Sequence, residues 1–259
     1  MSNYTGIASK RILITGATSG LGLAMARALS QAGAKVLITG RDKNKVDQTV
    51  TSLAGDCMGA VIDVRDESSI EKGLAETLQS WGGVDVLINN AGIGMQTVNP
   101  RFLTDPKPFW EISSSGFREM IDTNLTGYFL MAKAVTPLLL KTGHGRIINI
   151  DVSESTKKRR GFIPYGPSRA GTESLSHIMA QDLLGHGVTV NLLQPGGPTE
   201  TGMVPDDSRT AMSGRLLNPD VMAEPVLFLC SDQSEGLNDV EIIAKDFQTW
   251  KANFNAGLS

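Results

Sequence analysis

Seven short aliphatic runs recur along this chain, and each is followed by a stretch with helical spacing. RILIT (11–15), KVLIT (35–39), AVID (60–63), VDVLIN (84–89), RIINI (146–150), VTVNLL (188–193) and VEIIA (240–244) are nearly unbroken in Val, Ile and Leu. A strand with one wet face alternates apolar and polar residues. Unbroken runs mark strands covered on both faces. After the first run, Leu21, Met25, Ala28, Leu29 and Ala32 share one helical face. Strand and helix in alternation, with right-handed crossovers, predict an α/β fold: a doubly wound, seven-stranded parallel sheet flanked by helices. No shift in composition marks a linker. Residues 1–259 are therefore read as a single domain, with a core of about 10–246 and a tail over 247–259.

Composition narrows the partners. A hydrophobic content of 41%, a charged content of 20% and a net charge of -3 suit a globular protein and give no sign of nucleic-acid binding. Cys57 and Cys230 lie far apart, and His144, His177 and His186 show no ligand spacing. No metal site is expected, and the cysteines read as buried free thiols. The start, MSNYTGIASK, is polar, and no apolar run approaches the roughly 20 residues of a membrane span. The expectation is a cytoplasmic protein with no membrane partner.

TGATSGLG (15–22) directly follows the first strand and opens the first helix. Gly16, Gly20 and Gly22, with Thr18, Ser19 and Leu21 between them, can turn tightly while the helix amides face a pyrophosphate. The second strand ends in TGR (39–41), with Gly40 where an acid would hold a ribose 2′-hydroxyl. Arg41 follows and suits a 2′-phosphate, which favours NADP(H) over NAD(H). The alternative is an exposed arginine in a turn. Two connections at the carboxyl edge, 93–114 and 196–218, are long enough to be substrate lids or ordinary surface excursions.

Further motifs complete a pattern. NNAG (89–92) ends the fourth strand, Asp63-Val64 ends the third, and Asn124 lies in DTNLTGYF. YGPSRAG (165–171) and PGGPTETGM (195–203) follow. From Lys10 to about Asp246 the chain resembles the classical short-chain dehydrogenase/reductase family. The resemblance implies a Rossmann-type fold and a homodimer or homotetramer formed through the Asn124 and Tyr165 helices. It also implies a nucleotide site of Gly16, Thr18, Ser19, Gly20, Leu21, Gly22, Arg41, Asp63, Val64, Asn90, Ala91, Gly92, Tyr165, Arg169, Pro195, Gly196, Thr199 and Thr201. In that family the tyrosine exchanges the proton of a carbonyl/alcohol pair, and a lysine four residues on holds the nicotinamide ribose. A serine 13 residues before the tyrosine bonds the substrate oxygen, and an asparagine positions water. The catalytic set carried over is Tyr165, Arg169, Ser153 and Asn124.

Two of those places depart from the pattern. The lysine is Arg169, and the residue 13 before Tyr165 is Val152. Tyr165 and Arg169 are i and i+4, neighbours on one helix face. A fixed cation there favours the phenolate and can donate to ribose hydroxyls, but it releases no proton. On a regular strand Val152 faces the site while Asp151 and Ser153 face away; a bulge would bring Ser153 or Ser155 in. Asp151 either reaches Arg169 and cancels its field, or points elsewhere and simply ends the strand or orients the loop. The four cations of TKKRRG (156–161) either attract an anionic substrate group or coat a solvated surface. The tail packs over a site or a neighbouring subunit.

Three functions follow. The first is an NADP(H)-dependent oxidoreductase acting on a small carbonyl/alcohol substrate. The second is a nucleotide-holding sensor or scaffold with impaired catalysis. The third, a halohydrin-dehalogenase-like lyase, is disfavoured by the intact glycine turn.

Overall fold

The computed structural model describes residues 4–205, 209, 212 and 214–257. Seven strands form one parallel sheet in the order β3-β2-β1-β4-β5-β6-β7. They are β1 (Arg11–Ile14), β2 (Lys35–Gly40), β3 (Cys57–Val61), β4 (Val86–Asn89), β5 (Gly145–Ile150), β6 (Val188–Gln194) and β7 (Glu241–Ile243). The seven-stranded Rossmann-type sheet is thus the one the aliphatic runs predict. The third strand differs in position. It starts at Cys57, three residues before the expected run, and ends at Val61. As an edge strand it is only partly covered, so CMGAV carries no unbroken aliphatic signal. Its early end frees Asp63 and Val64 at the carboxyl edge of the sheet.

Strand pleating explains the two cores. In β1, Ile12 and Ile14 point to one face and Leu13 to the other, and all three are fully buried. The first face packs Met25 and Leu29 of α1 (Gly20–Gln31) and Val226 and Phe228 of α8 (Ala223–Cys230). The second packs Ile70 of α3 (Glu67–Trp81), Met131 and Val135 of α5 (Gly127–Thr142) and Ala180 of α7 (Tyr165–Asp182). Between them in sequence lie α2 (Lys43–Ser52), α4 (Ser114–Ile121) and the short α6 (Glu154–Lys157). The tail forms α9 (Phe247–Asn255), and Phe247, Trp250 and Phe254 surround Phe228 with ring centroids 5.6, 5.5 and 5.7 Å away. It covers core: Trp250 and Phe254 are half-buried, and the fully buried Phe247 ring contributes on the order of 2 kcal/mol.

Cys230 is buried, while Cys57 is only half-buried. Among the described residues no helix is long and apolar enough to cross a membrane, and no cluster of His, Cys, Asp and Glu could hold a metal ion. Strand order reverses at β1 and β4, where a crevice opens beyond the strand ends. Part of the second long connection, within 206–213, lies outside the described residues.

Candidate active site

A cavity of about 520 Å³ occupies that crevice. At one end lie Gly16, Thr18, Ser19, Gly20, Leu21, Arg41, Asp63 and Val64. Asn90, Ala91 and Gly92 form its middle, and Tyr165 and Arg169 lie at the other end beside Pro195, Thr199 and Thr201. The glycine turn is built for close approach. Gly16 sits at φ +63, and a Cβ there would lie 2.7 Å from Ala91 Cα. The turn is tied to the next motif because Thr15 Oγ1 accepts from the amides of Asn90 and Ala91, each at 2.9 Å. Asn90 Nδ2 donates back to the carbonyls of Thr15 and Gly16. The α1 N-terminus has no side-chain cap, so its first amides remain available to an anion. An uncapped helix start behind a glycine cradle fits a dinucleotide pyrophosphate.

The Gly40 position is closed as well as acid-free: a Cβ there would lie 2.9 Å from Thr18 Cγ2. Asp63 is held by Arg65, with Oδ2 2.6 Å from Nη2. This hydrogen bonding lowers its pKa below the ordinary aspartate value despite partial burial.

Two of the expected nucleotide residues stand back from the lining. Gly22 and Gly196 do not line the cavity. Gly22 faces Asn90 and the Ala17 backbone, allowing α1 to pack closely. Gly196 turns at φ +89 against Ile243 and Lys245, and its neighbour Gly197 reaches the cavity instead. Asn124 also lies outside the lining. It sits in a π turn (Asp122–Thr126) joining α4 to α5. Its Oδ1 accepts from the Ile93 amide at 2.8 Å, and its Nδ2 donates to the Ile93 carbonyl at 3.0 Å and to Ser168 Oγ at 3.3 Å. This amide clamps the segment after NNAG.

Arg169 is buried beneath Tyr165. Its Nη1 donates to Tyr128 Oη at 2.9 Å and to the Ile150 carbonyl at 3.0 Å. Tyr128 donates its own hydroxyl to the same carbonyl at 3.1 Å. The Arg169 Cζ lies 5.4 Å from the Tyr165 ring centroid and 5.5 Å from that of Tyr128. Burial opposes the charge on Arg169, but the two phenols and Asp151 outweigh it, so its pKa is raised and it stays a cation. Burial raises the Tyr128 pKa against the pull of Arg169, which keeps that hydroxyl protonated. Gly92 provides room, since a Cβ there would lie 2.6 Å from Arg169 Nη2.

Asp151 takes the second course: it ends the strand and orients the loop that follows. β5 ends at Ile150, so strand alternation no longer governs, and Asp151, Val152 and Ser153 all line the cavity. Asp151 forms its ion pair with Lys157, Nζ to Oδ2 at 2.6 Å, with side-chain exposures of 0% and 4%. Lys157 also reaches Glu173 at 2.6 Å. Burial works against the Lys157 ammonium, but the Asp151 and Glu173 carboxylates beside it prevail and raise its pKa. Burial raises the Asp151 carboxyl against the opposing pull of Lys157.

Ser153 Oγ lies 2.9 Å from Thr156 Oγ1 and 3.1 Å from Ser155 Oγ. Ser153 and Thr156 line the cavity, and Ser155 does not. Thr156, Tyr128 and Lys157 are site residues that the sequence did not reveal. A buried arginine replacing a lysine requires an extra acceptor, a requirement from which Tyr128 could have been sought.

Comparison with known proteins agrees with this architecture. The short chain dehydrogenase family profile matches residues 10–211. The 3-oxoacyl-(acyl-carrier-protein) reductase of Escherichia coli is 33% identical over 233 residues, covering 87% of this chain and 91% of that protein. A 2,5-dichloro-2,5-cyclohexadiene-1,4-diol dehydrogenase of Sphingobium indicum is 32% identical, covering 91% and 94%. The crystal structure of a 3-ketoacyl-(acyl-carrier-protein) reductase from Brucella melitensis complexed with NADH superposes with a TM-score of 0.81 at 27% identity, over 92% of this chain and 97% of that one. An actinorhodin polyketide ketoreductase with NADPH superposes with a TM-score of 0.77 at 27% identity, over 92% and 97%. The chain belongs to the short-chain dehydrogenase family.

Proposed function

We propose that this protein is an NADP(H)-dependent oxidoreductase that interconverts a small carbonyl compound and its alcohol, with Tyr165 as general acid/base. The observation that carries the reading is one continuous cavity running from Arg41 and the glycine turn to Tyr165 and Arg169. A bound nicotinamide would supply or accept the hydride, and the chain's own residues do the rest. The α1 amides and the glycine turn hold the pyrophosphate, Arg41 the 2′-phosphate, and Asp63 and Val64 flank the adenine. Asn90 to Gly92 form the floor, and Pro195, Thr199 and Thr201 the cover. Tyr165 gives its proton to the substrate oxygen during reduction and takes it back during oxidation. Arg169 remains a cation beside the phenol throughout. Ser153, with Thr156 behind it, donates to the substrate carbonyl in place of the absent serine.

Relatives named as ketoreductases support the reaction class. Since their structures carry NADH in one case and NADPH in the other, the NADP(H) preference rests on Arg41 and the closed Gly40 position. Exposed Phe129 and Leu140 on α5 and Ile178 on α7 support a homodimer or homotetramer through those helices. One observation favours the sensor reading: Val152 lines the cavity where a hydroxyl would serve. The test is a titration of nucleotide-free protein with NADPH and NADH, followed by a carbonyl screen. NADPH should bind at least about tenfold tighter, and Arg41→Ala should remove most of that preference. Tight NADPH binding with no turnover on any carbonyl would favour the sensor. Equal affinities would refute the role given to Arg41.

A further inference from the structure

The four consecutive cations at 157–160 have four different fates. Lys157 is buried against Asp151 and Glu173. Lys158, just past the end of α6, pairs with Glu154 at the start of that helix. Arg160 is exposed and does not line the cavity. Arg159 does line it, and among the described residues it has no carboxylate partner.

We propose that Arg159 recognises a carboxylate on the substrate, so that the substrate is an apolar carbonyl compound bearing one such group a few methylenes from the carbonyl. This rests on the oxidoreductase reading above. The guanidinium lies 4.8 Å over the Phe162 ring, and that ring lies 6.4 Å from the Tyr165 ring. Stacking on an aromatic face pre-orders an arginine while leaving its fork of donors free. The two ring contacts in series set the charge within a medium-length carbon chain of the phenol. The wall between is apolar, formed by Met95, Phe102, Leu103 and Phe162. A carbon chain lies against that wall while the carbonyl meets Tyr165 and the carboxylate meets Arg159. The loop is fixed for this purpose: the Phe162 amide donates to the Arg159 carbonyl, and Lys157 anchors its start.

The test needs no turnover. 7-Oxooctanoate and its methyl ester are titrated calorimetrically into the protein with and without NADP+, using wild type, Arg159→Gln and Arg160→Gln. Wild type should bind the acid about tenfold tighter than the ester, as a charge-assisted bond implies. Arg159→Gln should abolish that ratio without altering NADP+ affinity, and Arg160→Gln should keep it. Raising the salt concentration should shrink the ratio. Equal binding of acid and ester by wild type overturns the proposal, as does equal loss in both variants. If NADP+ fails to bind, the nucleotide reading falls, while the acid/ester ratio in nucleotide-free protein still judges Arg159.

Discussion

Lys157→Met probes the least visible part of the site. Both ends of the Lys157–Asp151 pair are almost fully buried, so water cannot replace the lost ammonium. Removing one partner of such a pair costs about 3–5 kcal/mol, because a charge is left behind without compensation. Glu173 is one-third exposed and can rehydrate, so the penalty falls on Asp151. For a chain of this size, that loss lowers the thermal midpoint by roughly 6–20 °C.

The sign with pH follows from the carboxyl. Its folded pKa is already raised above 3.8 and rises further once Lys157 is gone. A folded group that holds its proton more tightly than the unfolded chain stabilises at low pH. That stability is lost as pH rises through the folded value. The Lys157→Met deficit should therefore be larger at pH 8 than at pH 5. Asp151→Asn/Lys157→Met removes both charges and should recover most of the loss. Urea denaturation of the two variants and wild type at both pH values reads this directly. A Lys157→Met loss below about 1 kcal/mol at pH 8, or a double variant no better than the single, would refute the buried-pair account.

Two further changes test the surrounding structure. Arg169→Lys deprives Tyr128 Oη and the Ile150 carbonyl of their guanidinium donor, so turnover with any accepted carbonyl should fall at least about tenfold and stability by about 1–3 kcal/mol. Steady-state kinetics showing a gain in turnover would mean that the arginine is an imperfect stand-in for lysine. Away from the site, Arg11 holds Asp85 through Nε and Nη2. Although burial opposes the charge on Asp85, these bonds lower its pKa below 3.8. A depressed carboxyl stabilises above the unfolded value, and that stability is lost as pH falls through the folded one. Asp85→Asn should thus cost about 1.5–3 kcal/mol at pH 7 by urea denaturation and much less at pH 3.

What could be read from the sequence depended on how local the cause was. The sheet was legible because Ile12, Leu13 and Ile14 must all be apolar when both faces are covered. The glycine turn was legible because strand, turn and helix are contiguous. β3 was misplaced because an edge strand has no such requirement. The tail was ambiguous because the partner of Phe247 and Trp250 is Phe228, about twenty residues earlier across a strand. Asp151 was legible as a strand end that orients the loop, but its partner was not, because Lys157 belongs to a short helix whose path no periodicity announces.

The arginine at position 169 is physically linked to its unusual surroundings. A guanidinium is bulkier than an ammonium and carries more donors, so it needs space and acceptors. Gly92 gives the space, and Tyr128 with the Ile150 carbonyl gives the acceptors. The strand carrying Ile150 then ends at once, and the next residue is a buried acid near the Arg169 cation. If unpaired, Asp151 would draw on that cation and weaken its field at Tyr165. Lys157 takes up the acid instead, leaving the positive charge of Arg169 directed at the phenol. The same ion pair pins the loop that carries Ser153, Thr156 and Arg159. Lysine to arginine at position 169 is thus one part of a rearranged charge system that preserves a cation beneath the tyrosine.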